Sequence, residues 1–85
     1  MNFGEAIVAL KDSKMVRRAG WNGKGMHIYL EDGFSIPIRA GLYRGAKRAY
    51  EPVICMYTAQ GKHQPGWLAS QADMLAEDWV CVAPG

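Results

Sequence analysis

The sequence has few of the reinforcements that small proteins usually rely on. It holds two cysteines, Cys55 and Cys81, far apart in an 85-residue chain. That fits neither a disulfide framework nor a metal-ligand spacing, so both are expected to be buried thiols in a reducing cytosol. No stretch approaches the ~20 apolar residues of a membrane span. The start, "MNFGEAIVALKDSK", lacks the basic head and long apolar run of a secretory leader, so a cytoplasmic location is expected. Charge of one sign is also scarce, and a formal net charge of +2 is too small to imply a polyanionic partner. Catalytic patterns are missing as well. The two histidines, His27 and His63, lie in different segments, form no H-x-x-x-H pair and adjoin no established nucleophile motif. No repeat or low-complexity segment is evident.

What the chain does have is core-forming material. Hydrophobic residues make up 49% of it and include three tryptophans, which excludes a disordered chain, and its length allows one domain, residues 1–85. Phe3, Ala6, Ile7 and Leu10 fall on one stripe of a helix over residues 3 to 11, with Asn2 and Glu5 in capping-box positions. Met15 to Arg18 reads as a short strand. Met26, Ile28 and Leu30 alternate with His27, Tyr29 and Glu31, and Asp32-Gly33 then predicts a tight turn into a partner strand, Phe34 to Arg39, closing a hairpin. Pro37 places that partner at an edge. Residues 39 to 52 form a basic connection, "VICMYT" a buried strand, and Gln60-Gly61 a turn that includes His63. A helix of one to two turns starts near Ser70, with Asp73 completing a second capping box, and Trp79 to Val82 is a terminal strand. Leu68, Met74, Leu75 and Trp79 are candidate core residues. The sum is α+β: a small, mostly antiparallel sheet of four to five strands, an N-terminal helix and a short C-terminal helix.

Two stretches carry chemistry. In "RRAGWNGKGM", Trp21 sits among glycines in a segment too irregular for helix or strand, so it either plugs the core or stands ready to stack on a ligand. "GWNGKG" does not match the phosphate loop G-x-x-x-x-G-K-[ST]. In "WLASQADMLAEDW", Ser70 and Asp73 can cap a helix, while Glu77 belongs to a solvated face. A capped helix start also offers N–H donors to an anion and a carboxylate to ribose hydroxyls, the mixture a nucleotide needs beside an aromatic face. A small nucleotide hydrolase using Asp73 or His27 is one alternative. A single-stranded nucleic-acid module is another, with Arg39, Arg44, Lys47 and Arg48 near Tyr43 and Tyr50. The cationic footprint is thin for that role, and no recognised nucleic-acid motif accompanies it.

Taken together, the two stretches resemble the small phage and prophage proteins of the Thoeris anti-defence family, second type. The resemblance rests on M-x-F-G-x-A, then R-x-G-W-N-G-K, then W-L-x-S-Q-x-D-M-L-A-E-D-W. The chain departs from the family at Gly66, which separates proline from tryptophan, and at Ala69 and Ala72, where relatives often carry proline and threonine. The resemblance implies a non-enzymatic sponge, with no cofactor, that holds a cyclic nucleotide immune signal away from its effector. The implied ligand is a cyclic ADP-ribose isomer made by TIR-domain proteins, with cyclic dinucleotides taken by some members in a separate pocket. It further implies homotetramers with pockets between protomers. On this reading Trp21 is a stacking platform, with Gly23 allowing close approach and Asn22 a polar reader. Arg18 and Lys24 are candidate partners of the pyrophosphate, and Ser70, Gln71 and Asp73 address ribose or base. Trp67 is a second aromatic wall, and Trp79 belongs to the core. Size agrees with shared walls, since so small a domain can scarcely hollow out several hundred cubic ångströms and keep a core.

Overall fold

Helix α1 (Phe3–Lys11) starts where the sequence places it. The Asn2 side chain accepts from the Glu5 N–H at 2.8 Å and Glu5 returns the bond to the Asn2 N–H at 2.9 Å. Two of the four unpaired donors of the first turn are thereby satisfied. The helix ends in a Schellman turn, with Ser13 N–H donating to the Leu10 carbonyl and Lys14 N–H to that of Ala9, each at 3.0 Å. Ser13 occupies the left-handed region (φ 62°) that this turn requires and that glycine fills without strain. The structure, a computed structural model, describes residues 1–32, 34–37 and 47–83.

The strands are β1 (Met15–Arg18), β2 (His27–Glu31), β3 (Phe34–Pro37), β4 (Lys47–Tyr50), β5 (Val53–Tyr57), β6 (His63–Pro65) and β7 (Trp79–Val82), with a one-turn helix α2 (Gln71–Leu75) between the last two. Five of them build an antiparallel sheet in the order β6-β5-β2-β1-β7. Register follows the hydrophobic pattern: Val16 opposes both Ile28 and Cys81, and Ile28 opposes Met56. These residues share one face of the pleat, and α1 packs there. Ala6 and Leu10 from the helix meet Val16, Ile28 and Trp79 from the sheet in one buried cluster. The α+β architecture, the five-strand count and both helices match the sequence reading.

Several details differ from it. The expected hairpin between β2 and β3 does not form, because β1 and β5 already occupy the two edges of β2. β3 pairs instead with β4 in a separate two-stranded ribbon, from Phe34↔Tyr50 to Pro37↔Lys47. Part of the segment read as a connection, residues 39 to 52, is therefore strand. Residues 39 to 46 of it, with Arg39, Tyr43 and Arg44, lie outside the described residues, as does Gly33 of the expected turn. His63, read as part of a turn, begins edge strand β6 opposite Tyr57. The turn before it is closed by Thr58 N–H to the Lys62 carbonyl at 2.8 Å, with Gly61 at φ 77°. No apolar alternation marks "HQP", since a three-residue edge strand exposed throughout buries no face.

Burial corrects two further expectations. Cys55 is buried, but Cys81, on the sheet's outer strand β7, is exposed in a surface depression beside α1 that Val8, Ala9 and Lys11 also line. Both thiols are free. Leu68, Met74 and Leu75, expected in the core, are exposed, at 89%, 47% and 79%. Of the five residues of α2 only Asp73 is half-buried, and the helix meets the core through the bond from the Trp79 indole N–H to the Asp73 carbonyl.

Relieving the left-handed strain at Ser13 provides a test of the α1 turn. Ser13→Gly is expected to stabilise the fold by ~0.5–1 kcal/mol, which corresponds to a midpoint several degrees higher, ~4–8 °C per kcal/mol in a domain of this size. Thermal unfolding checks this; a lower midpoint would show that the serine side chain contributes more than its backbone costs.

Candidate functional site

The loop between β1 and β2 is held by two local backbone bonds and one to a distant residue. Ala19 N–H donates to the Asp78 carbonyl at 3.0 Å, Trp21 N–H to that of Arg18 at 3.2 Å, and Met26 N–H to that of Gly23 at 3.2 Å. Gly23 is required by crowding: a Cβ there would collide with the Met26 side chain and lie 2.8 Å from the Cβ of Ala59. The loop is therefore folded down against the turn before β6, and Trp21 leaves it toward the core.

Three indoles meet where Trp21 arrives. Trp79 is fully buried beneath Trp21 and Trp67, both half-buried. The three pairs are all edge-on, with centroids 5.4 Å apart for Trp21–Trp79, 6.1 Å for Trp67–Trp79 and 6.3 Å for Trp21–Trp67. Edge-to-face geometry suits the ring quadrupoles and contributes ~0.5–1.5 kcal/mol per pair beyond burial. It also leaves Trp21 and Trp67 without a parallel partner on each other. The alternatives of plug and platform are thus not exclusive: Trp21 packs on Trp79 and the core cluster and is itself only half-buried.

α2 brings the polar groups to this ledge. Ser70 caps it, accepting from the Asp73 N–H at 3.1 Å. Asp73 Oδ2 in turn accepts from the Ser70 N–H at 2.9 Å and the Ser70 hydroxyl at 2.8 Å. The indole N–H of Trp79 donates to the Asp73 carbonyl at 2.9 Å, tying α2 to the core. Arg18 Nη1 reaches Asp73 Oδ1 at 3.1 Å, and Arg18 Nε reaches Asp78 Oδ1 at 3.0 Å. Asp78 Oδ2 also accepts from the Gly20 N–H at 3.4 Å.

The electrostatics follow from these contacts. Burial alone would raise the Asp73 carboxyl, but the Ser70 N–H, the Ser70 hydroxyl and the Arg18 guanidinium outweigh it and hold the group below the usual carboxylate range. The Arg18 hydrogen bond likewise holds Asp78 low, and the bonds Arg18 donates to Asp78 and Asp73 raise its own value in return. One guanidinium between two carboxylates is net negative, so the charge of Arg18 is committed within the wall. A carboxylate offers about four acceptor positions; Asp73 uses three on Arg18 and Ser70, leaving room for a hydroxyl donor.

The structure therefore brings together Arg18, Trp21, Trp67, Ser70 and Asp73. Asn22, Lys24 and Gln71 are exposed on the same two segments, and Gly23 serves the packing of the loop. Two residues of this site escaped the sequence reading. Asp78 receives no role from the sequence, although the pairing of Arg18 with Trp79 places it beside Ala19 and Gly20. The indole N–H of Trp79 was counted only as core. The structure also gathers side chains that the sequence separates. His27 stacks on Tyr57 at 5.2 Å, Tyr57 meets His63 at 5.2 Å, and the Tyr29 hydroxyl hydrogen-bonds His63 Nδ1 at 2.7 Å. Alternation from Ile28 puts these rings on the face opposite α1, where burial and the Cys55 thiol hold the Tyr29 phenol above its ordinary value. Among the described residues no group of three His, Cys, Asp or Glu could hold a metal ion, and no helix is long and apolar enough to cross a membrane.

A lowered carboxyl gives stability that is complete above its unfolded value and lost as pH falls through the folded one. The unfolding midpoint of the protein is thus expected to hold from about pH 7 to about pH 5 and to drop below the ordinary aspartate value of ~3.9. Asp73→Asn should flatten that acid limb. An acid limb of unchanged slope in the variant would remove Asp73 from the explanation.

The Thoeris anti-defense 2-like domain matches residues 1–82. The Thoeris anti-defense 2 protein of Bacillus phage SP01 is 37% identical over 86 aligned positions, covering 98% of this chain and 96% of that protein. Both matches run through the loop of Trp21 and the segment of Asp73. The chain belongs to the Thoeris anti-defense 2-like family and shares its general, non-catalytic anti-defence role.

Proposed function

We propose that this protein acts as one domain over residues 1–85 that sequesters a cyclic nucleotide immune signal without altering it. The ligand is a cyclic ADP-ribose isomer made by TIR-domain proteins, with cyclic dinucleotides as a second class. The observation that carries the reading is the ledge of Trp21 and Trp67, half-exposed over a buried Trp79 and beside a carboxylate with one acceptor position to spare. The two indoles take the base, Asp73 takes a ribose hydroxyl, and Ser70 and Gln71 stand at the rim. Lys24, exposed on the loop with Asn22, is the cation placed to meet the pyrophosphate.

A sponge competes with an effector for a scarce signal and needs tight binding; nanomolar affinity is ~12 kcal/mol, more than an open ledge supplies. The missing wall comes from a second protomer. Leu68, Met74 and Leu75 stand exposed around Trp67 and Asp73, an apolar rim of the kind that marks a subunit contact. Repetition of such contacts in pairs gives the homotetramer, and the protein works in the cytoplasm of the infected bacterium.

Mixing the protein with the cyclic ADP-ribose isomer, removing free ligand, heat-denaturing and assaying the supernatant tests the reading. Intact ligand is expected to return; cleaved product alone would turn the case to the small hydrolase. Trp21→Ala is expected to lose binding while leaving the oligomer folded, since base–aromatic stacking contributes ~1–3 kcal/mol per base and the loop orients the rest. Normal binding by that variant would leave Trp21 with its core contact only. A salt-steep mobility shift on any single strand would instead favour the nucleic-acid module.

A further inference from the structure

Asp78 contacts the same short piece of chain in three ways, two to its backbone and one to a side chain. Its carbonyl accepts from the Ala19 N–H at 3.0 Å, one carboxylate oxygen accepts from the Gly20 N–H at 3.4 Å, and the other accepts from Arg18 Nε at 3.0 Å. The next residue, Trp21, donates its own N–H to the Arg18 carbonyl at 3.2 Å. No flexible residue intervenes between this clamp and the indole. Arg18 spans the clamp with the fork that only a guanidinium provides, Nε to Asp78 on the strand side and Nη1 to Asp73 on α2.

We propose that Asp78 is a positioning residue that sets the pose of Trp21 through Arg18 and the Gly20 amide, and that Arg18 is a strut of the wall and not a reader of ligand phosphate. The proposal rests on the reading of the Trp21–Trp67 ledge as the ligand site. Its physical basis is the direction of the Arg18 donors: Nε and Nη1 each already face a carboxylate within the protein, in a half-buried site where exchanging an ion pair for a ligand would leave two carboxylates unpaired. Phosphate recognition then falls to the exposed Lys24 and to backbone N–H groups of the glycine-containing loop.

The two roles of Arg18 predict opposite signs. Were Arg18 a phosphate reader, Asp78 would compete for it, and Asp78→Asn would release it and tighten binding. A positioning role predicts that Asp78→Asn weakens binding about tenfold or more, as expected from loss of a charge-assisted hydrogen bond. Arg18→Lys separates the roles again: it keeps the charge but not the fork, so it preserves phosphate reading and breaks the clamp. The experiment measures the affinity of both variants for the cyclic ADP-ribose isomer by calorimetry. It also records the indole N–H resonances of ligand-free protein, with that of Trp21 assigned from Trp21→Phe.

Both variants are expected to bind about tenfold or more weakly, to move the Trp21 resonance more than that of Trp79, and to keep secondary structure and oligomeric state. Combined in one chain, their losses should fall short of additive, because both break one clamp. Unchanged or tighter binding by Asp78→Asn, or a Trp21 resonance that stays in place, overturns the proposal. Failure of the wild-type protein to bind would overturn the ligand reading alone, since the Trp21 resonance reports the clamp without ligand.

Discussion

Burial of the Trp79 indole is the constraint on which the rest of the structure depends. It is the largest fully buried side chain of the core, and an indole carries an N–H that costs ~1–3 kcal/mol if buried without an acceptor. The acceptor is the Asp73 carbonyl, so α2, too short to be stable by itself, must lie against the sheet at one place. That placement sets Asp73 within reach of Arg18 and Trp67 beside Trp21. A packing requirement thus assembles the polar and aromatic groups of the candidate site.

Charge is arranged by the same contacts. The two carboxylates around Arg18 pair its charge and leave one acceptor position of Asp73 open, while the exposed cation of the loop, Lys24, stands outside the clamp. The division suits a nucleotide whose sugar and phosphate ask for opposite partners. On the proposed reading, a formal charge of only +2 is compatible with an anionic ligand, because the net figure includes charges paired within the wall.

The local grammar of the chain was legible because it is written in consecutive residues. Both capping boxes, the apolar stripe of α1 and the alternation of β2 follow from a spacing of two to four, and the strands of Met15, Cys55 and Trp79 are short continuous runs. What escaped depends on residues far apart. β2 could not reveal that both its edges are occupied, and "HQP" in β6 buries no face that a pattern could show. Leu68, Met74 and Leu75 look like core by composition and stand in solvent because α2 is one turn at the rim. In the site, Trp21 and Asp73 drew notice through their local setting. The role of Asp78 becomes visible only once antiparallel pairing brings Arg18 opposite Trp79.

The account comes down to where the ligand lies, and intrinsic tryptophan emission reads that directly. Titration with the cyclic ADP-ribose isomer should quench the emission saturably, with the midpoint found by calorimetry, as a base settles on Trp21 and Trp67. Calorimetric binding with unchanged emission would contradict it. The ligand would then lie away from the indoles, as in the surface depression of about 540 Å³ lined by Ser13, Lys14, Met15 and Cys81.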